Sequence, residues 1–247
     1  MTPVRCAGLL LCTLTLTAPV HADIAGAPLT PPAFIEAQLS AIARLRGVDA
    51  ASGGCTAVLV TPQAVLTAAH CARAPLVAPQ VVIFPGPEPA RYDVITRLSH
   101  PTPARRPALA ISDYTTDLAV LLLAEAVPPD VATPMPLVPP DPALPHGVYG
   151  FDNRDAADTL RGHAPCAVQL LENGPLASDC HVVNGQSGGA LVRFTDDGPR
   201  LVGILVAQLG RDADIRSLAA RPDPAHWPAL ADVLGLSAPA AAADDAQ

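Results

Sequence analysis

The stretch "GGCTAVLVTPQAVLTAAHC", Gly53 to Cys71, decides how the rest of the chain is read. "TAVLV" is a short apolar run rich in β-branched residues, the composition of a buried strand. Thr61-Pro62-Gln63 supplies a turn, and "AVLT" reads as a second strand leading into "AAHC". His70 therefore stands just beyond a strand end, beside Cys71. A bond from Cys71 to Cys55 would staple both ends of this hairpin. Such a closed loop contributes on the order of 3 kcal/mol through denatured-state entropy, and it would hold the imidazole in place. A lone histidine would be read as an ordinary surface or core residue. The 19-residue block around this one is what marks it.

Outward from this block the same grammar repeats. "SAIARLR", "QVVIF", "RYDVITRL", "LAVLLL", "GVYGF", "CAVQLL", "GALVRF" and "RLVGILVA" are strand-length apolar runs, most of them closed by turn residues. The 29 prolines argue against long helices. Aromatic residues make up only 3% of the chain, so the core must be built mainly from Val, Leu, Ile and Ala. Ala126 to Gly147, "AVPPDVATPMPLVPPDPALPHG", reads as an extended connection between two β-rich halves. "DPAHWPALADVLGL" places Leu230, Val233 and Leu234 at helical spacing, with Asp223 as N-cap, and predicts one short terminal helix. The expected organisation is a signal peptide over 1–22, an N-terminal β-half over 23–127, a C-terminal β-half with the terminal helix over 128–236, and a disordered tail over 237–247.

The net charge is −8, and all 15 basic residues are Arg. They are scattered, with only Arg105-Arg106 adjacent, and form no basic stripe of the kind a nucleic-acid surface needs. The opening "MTPVRCAGLLLCTLTLTAPVHA" has Arg5, an apolar run from Ala7 to Leu16, and a small-x-small ending at Val20-His21-Ala22. This is the pattern of a cleaved signal peptide, and the run is too short to span a bilayer. Cleavage after Ala22 leaves Cys55, Cys71, Cys166 and Cys180 in an exported protein without a membrane anchor. Four cysteines in an oxidising compartment predict two disulfides, with three pairings open from the count alone. No Cys-x-x-Cys pair occurs to favour a metal site.

Two further stretches carry chemistry. In "TTDLAVLLL", Asp117 stands at the mouth of an unbroken apolar strand. A carboxylate in that position is partly buried and needs a partner, and an imidazole N–H is a suitable one. In "NGQSGGAL", Ser187 sits among three glycines. Alone this would be a hairpin turn. The spacing also lets the amides of Gly185 and Ser187 converge on one oxygen beside the Ser187 hydroxyl. A serine hydroxyl is a weak nucleophile at neutral pH and needs a base, which His70 supplies, with Asp117 orienting the imidazole.

Together, "LTAAHC" around His70, "DLAVLLL" from Asp117, "GQSGGAL" around Ser187 and "LVGILV" from Leu201 resemble the trypsin-like (chymotrypsin-fold) serine protease family, in its small bacterial secreted type. They occur in that family's order, over roughly residues 40–210. The resemblance implies an all-β fold of two six-stranded antiparallel β-barrels with the active site in the cleft between them, followed by a short C-terminal helix. It implies peptide-bond hydrolysis through an acyl-enzyme by His70, Asp117 and Ser187, with the oxyanion held by the amides of Gly185 and Ser187, and with no metal or cofactor. It supports the disulfide Cys55–Cys71, which leaves Cys166–Cys180. The implied partner is a peptide or protein substrate, and the chain is expected to act as a monomer, secreted or periplasmic.

The chain departs from the family at four places. Many members have an acidic residue before the nucleophile that pairs with a newly released N-terminus, whereas Gln186 is uncharged. The "DIAGA" segment at Asp23 to Ala27 is therefore not expected to insert, and activity should not require cleavage at Ile24. Val206 stands where a serine often bonds the catalytic aspartate. Ala207 and Gln208 replace an aromatic residue and a glycine at the pocket entrance. His181 replaces the acidic base that favours Lys or Arg substrates, which points to a small aliphatic residue, or an acidic one read by His181. The rival histidine His100 lacks the matching block. The alternative function is a non-catalytic pseudoprotease that binds peptides or proteins, with Gln186 and Val206 in its favour.

Overall fold

The structure is a computed structural model and describes residues 39–47, 54–72, 80–102, 110–154, 159–210 and 214–236. The expected signal peptide and C-terminal tail lie outside the described residues. The first half consists of β1 (Ile42–Gly47), β2 (Cys55–Thr61), β3 (Ala64–Ala68), β4 (Gln80–Phe84), β5 (Ala90–Ser99) and β6 (Leu118–Leu123). These form a closed antiparallel barrel in the order β1-β2-β3-β6-β5-β4, sealed where β4 pairs with β1. Closure leaves no edge open to another chain. β3 is buried along its whole length and β2 nearly so, while β5 alternates between half-buried and exposed positions on the outer wall.

The second half contains β7 (His146–Phe151), β8 (Leu160–Cys166), β9 (Val168–Leu170), β10 (Leu176–Ser178), β11 (Ala190–Thr195), β12 (Gly198–Gln208) and β13 (Ser217–Ala220). They make one curled seven-stranded sheet in the order β8-β7-β11-β12-β13-β10-β9. The two-barrel architecture holds, with a correction of count: the second barrel has seven strands rather than six, and its seam is not sealed by a strand ladder. β8 and β9 are the outer strands in that order, and Ala167 and Asp179 extend the β9–β10 ladder by one step, the Ala167 amide donating to the Asp179 carboxylate at 2.8 Å and the Asp179 amide to the Ala167 carbonyl at 3.2 Å. The Cys166–Cys180 disulfide spans the same place, with Cα atoms 5.5 Å apart.

The proline-rich connection is pinned to both halves. The Met135 amide donates to the Leu59 carbonyl at 2.9 Å, and the Val138 amide to the Leu201 carbonyl at 2.9 Å. The larger of two core clusters among the described residues runs through both halves. It joins Ile42, Val58, Leu66 and Leu121 of the first half to Phe151, Val192, Leu201 and Ile204 of the second. Aliphatic side chains dominate it, as the composition requires.

Two short helices are present among the described residues: α1 (Ala69–Ala72), and α2 (Pro228–Val233) near the end. α2 begins later than the sequence suggests. Its N-cap is Trp227 and Pro228 takes the first turn, where a missing N–H costs nothing. Asp223 is not the cap. Its carboxylate accepts from the Ala225 amide at 3.0 Å and pairs with His226 at 2.9 Å, closing the turn ahead of the helix. Trp227 is buried and its ring lies 5.4 Å from that of His100, so the helix packs back onto the first half.

Candidate active site

The pairing of β3 with β6 builds the first part of the site. The strands run antiparallel with Ala68 opposite Leu118, so the end of one lies beside the start of the other. The ladder extends one step further, the Ala69 amide donating to the Asp117 carbonyl at 3.0 Å. His70 in α1 and Asp117 at the mouth of β6 are therefore neighbours although 47 residues separate them. The His70 amide donates to Asp117 Oδ1 at 3.0 Å, and His70 Nδ1 lies 2.7 Å from Asp117 Oδ2. Asp117 is completely buried, while the His70 side chain is 31% exposed. A buried carboxylate bonded to Nδ1 sets the tautomer, leaving Nε2 as the basic nitrogen. The Cys55–Cys71 disulfide braces this corner, with both sulfurs within 4.8 Å of a His70 ring nitrogen.

Ser187 comes from the turn before β11. The turn is shaped by two glycines in the left-handed region, Gly185 at φ +103° and Gly188 at φ +82°. A Cβ on Gly185 would sit 2.6 Å from the Phe151 carbonyl oxygen, and one on Gly188 would overlap the Thr56 carbonyl and the Thr67 hydroxyl. No other residue fits at either place. The turn's polar groups are largely assigned. The amides of Gln186, Gly188 and Gly189 donate to the carbonyls of Val183, Leu205 and Gln186 at 3.1, 2.7 and 2.8 Å. Among the described residues the amides of Gly185 and Ser187 have no protein acceptor. Two spare N–H groups thus flank Gln186 next to the Ser187 hydroxyl.

The serine turn is tied to the first barrel by Thr56, a residue the sequence analysis does not single out. Its hydroxyl donates to the Gly185 carbonyl at 2.8 Å and accepts from the Phe151 amide at 3.0 Å. Its own amide donates to the Ser187 carbonyl at 2.8 Å, and its carbonyl accepts from the Thr67 hydroxyl at 2.8 Å. Thr56 and Thr67 are both fully buried. The signal was present as two threonines inside apolar strands, a placement that demands partners.

His70 and Ser187 line one cleft of about 540 Å³, together with Tyr114, Val182, Val183, Asn184 and Leu205 to Leu209. Val206, Ala207 and Gln208 of the expected specificity pocket are therefore beside the serine. The strand is bulged between Leu205 and Ala207, which bends it along the cleft wall. His181 is not among the residues that line this cleft, whereas Val182, Val183 and Asn184 are. Val206 has no hydroxyl to offer Asp117, whose Oδ1 accepts from the His70 amide. Tyr114, from a short 3₁₀ turn over Ile111–Tyr114, completes the wall.

The two cysteine pairs implied by the family resemblance, Cys55–Cys71 and Cys166–Cys180, are both bonded. No described helix is long and apolar enough to cross a membrane. A search of curated proteins finds no match to the chain. The family model of the trypsin-like peptidase domain matches residues 55–204, more than half of the chain and a span that contains His70, Asp117 and Ser187. The chain belongs to the trypsin-like peptidase domain family.

Proposed function

We propose that the protein is an exported serine endopeptidase that cleaves peptide bonds through an acyl-enzyme. The observation that carries this reading is the buried Asp117 carboxylate bonded to His70 Nδ1 at 2.7 Å, in a cleft that Ser187 also lines. In the proposed reaction, Ser187 Oγ attacks the scissile carbonyl while its proton passes to His70 Nε2. Asp117 stabilises the imidazolium without taking the proton. The carbonyl oxygen, now negative, is received by the Gly185 and Ser187 amides, donors aimed at charge that develops only in the transition state. His70 then gives the proton to the leaving amine. Water attacks the acyl-Ser187 ester by the same route and frees the acid. Every group in this scheme belongs to the chain itself.

The cleft favours an uncharged side chain next to the scissile bond. Val182, Leu205, Val206 and Ala207 are apolar, and no described lining residue besides His70 carries a titratable group other than the Tyr114 phenol. A small aliphatic residue is the proposed preference. Two disulfides suit a periplasmic or extracellular site of action.

The second reading, a non-catalytic binding module on the same fold, draws on Val206, which carries no hydroxyl where the family often has a serine, and on the uncharged Gln186. A fluorophosphonate probe separates the two. The expected result is covalent labelling of the wild type and none of Ser187→Ala, with the modified peptide located by mass spectrometry. Folded wild-type protein that takes no label would refute the protease reading and favour the binding one.

A further inference from the structure

We infer that Gln186 is a positioning residue, a neutral latch that holds the oxyanion loop in working shape without a charged group or a released N-terminus. The inference rests on the protease reading above. Gln186 is 4% exposed and its side-chain amide is used at both ends. Oε1 accepts from the Val183 amide at 2.8 Å, and Nε2 donates to the Arg161 carbonyl of β8 at 3.2 Å. The Gln186 backbone amide also donates to the Val183 carbonyl at 3.1 Å. Both backbone groups of Val183 are thus bound to Gln186, and Val183-Asn184-Gly185-Gln186 is closed into a ring.

The rest of the ring is held from outside. The Asn184 carbonyl accepts from the Asn153 amide at 2.9 Å, and the Gly185 carbonyl accepts from the Thr56 hydroxyl at 2.8 Å. Gly150 lies flat against Gln186, where an added Cβ would come 3.0 Å from the Gln186 Cα. The amides of Gly185 and Ser187, which have no protein acceptor among the described residues, are the ones on either side of Gln186. Their direction is therefore set by a side chain whose hydrogen-bond partners are all backbone groups. A carboxylate at this position could accept from Val183 but would set an oxygen against the Arg161 carbonyl, and it would call for a cation. The amide satisfies both partners by itself, because it carries a donor and an acceptor. The loop then needs no charge brought to it by the Asp23 end of the chain.

The test uses the exported protein, the same protein with an uncleaved extension ahead of Asp23, and the variants Gln186→Met and Gln186→Glu. The first two should hydrolyse a peptide ester at rates within about threefold of each other. Gln186→Met keeps the length of the side chain and loses both hydrogen bonds. It should lower kcat by about 100-fold, the scale of losing one oxyanion donor, with KM changed less than about threefold and a melting curve still cooperative. Gln186→Glu should behave in the same way and decides the matter if the Met variant does not fold. An active wild type whose folded Gln186 variant keeps its kcat overturns the latch alone. So does an extended protein that gains more than about tenfold on trimming to Ile24. A wild type that neither labels nor turns over substrate overturns the protease reading, and the latch falls with it.

Discussion

Replacing Thr56 by valine is the sharpest probe of how the two halves build one site. The substitution keeps shape and removes a hydroxyl that makes two buried hydrogen bonds, to the Gly185 carbonyl at 2.8 Å and from the Phe151 amide at 3.0 Å. Both partners lie in the second half, and Thr56 itself is fully buried. Each stranded group costs about 1–3 kcal/mol when water cannot reach it. The added methyl recovers part of that, so a net loss of about 3 kcal/mol is expected, which for a chain of this size lowers the melting temperature by about 6–12 °C. Thr56→Ser keeps the hydroxyl and loses only a methyl, for about 1 kcal/mol. The consequence for activity is separate. A freed Gly185 carbonyl lets the peptide plane before Gln186 rotate, and kcat should fall at least tenfold while the serine variant stays near wild type. Urea unfolding monitored alongside peptide-ester hydrolysis reads both effects. A valine variant within about 0.5 kcal/mol of wild type, with unchanged kcat, would refute the claim that Thr56 joins the barrels at the site.

Three other outcomes follow from the same geometry. Asp117→Asn should leave the fold intact and lower kcat by about 10⁴-fold, because an amide at 2.7 Å from His70 Nδ1 favours the wrong tautomer; steady-state kinetics on folded variant checks it. Gly188→Ala should destabilise by at least about 3 kcal/mol or fail to accumulate, since φ is +82° and the new methyl would overlap the Thr56 carbonyl, as thermal melts or yield would register. His146 is completely buried at the start of β7. Burial pushes its pKa down, helped by Arg193, against a smaller upward pull from the Leu144 carbonyl and Asp141. The unfolded chain therefore binds this proton first as pH drops. Stability should be full above about pH 6.5 and decline as pH falls toward the folded value; urea midpoints measured from pH 8 to 5 should show the slope, and His146→Leu should flatten it.

What the sequence discloses, and what it hides, divides along the range of the interactions. His70 and Asp117 are legible because their placement follows from strand ends and a local disulfide, all contained in two short apolar runs. Ser187 is legible because its glycines are dictated by backbone geometry that no other residue satisfies. The edge strand β8 is hidden, since "LRGHAPC" carries a glycine, a histidine and a proline that do not spell a strand. An edge position tolerates Pro165, whose missing N–H is not needed on the open side. That hidden strand supplies the Arg161 carbonyl, so the uncharged Gln186 is visible in the sequence while the partner that explains it is not.

Thr56 shows why "GGCTAVLV" is informative beyond its histidine. Cys55 holds the histidine corner through Cys71, and the next residue holds the serine turn through two hydrogen bonds, from its amide to the Ser187 carbonyl and from its hydroxyl to the Gly185 carbonyl. One strand end thus fixes both reacting groups relative to each other. A Cys-Thr pair at the start of a buried strand is constrained from both barrels at once, whereas the long "DLAVLLL" run is constrained mainly by packing. The stretch that decides the fold is for that reason also the stretch that positions the chemistry.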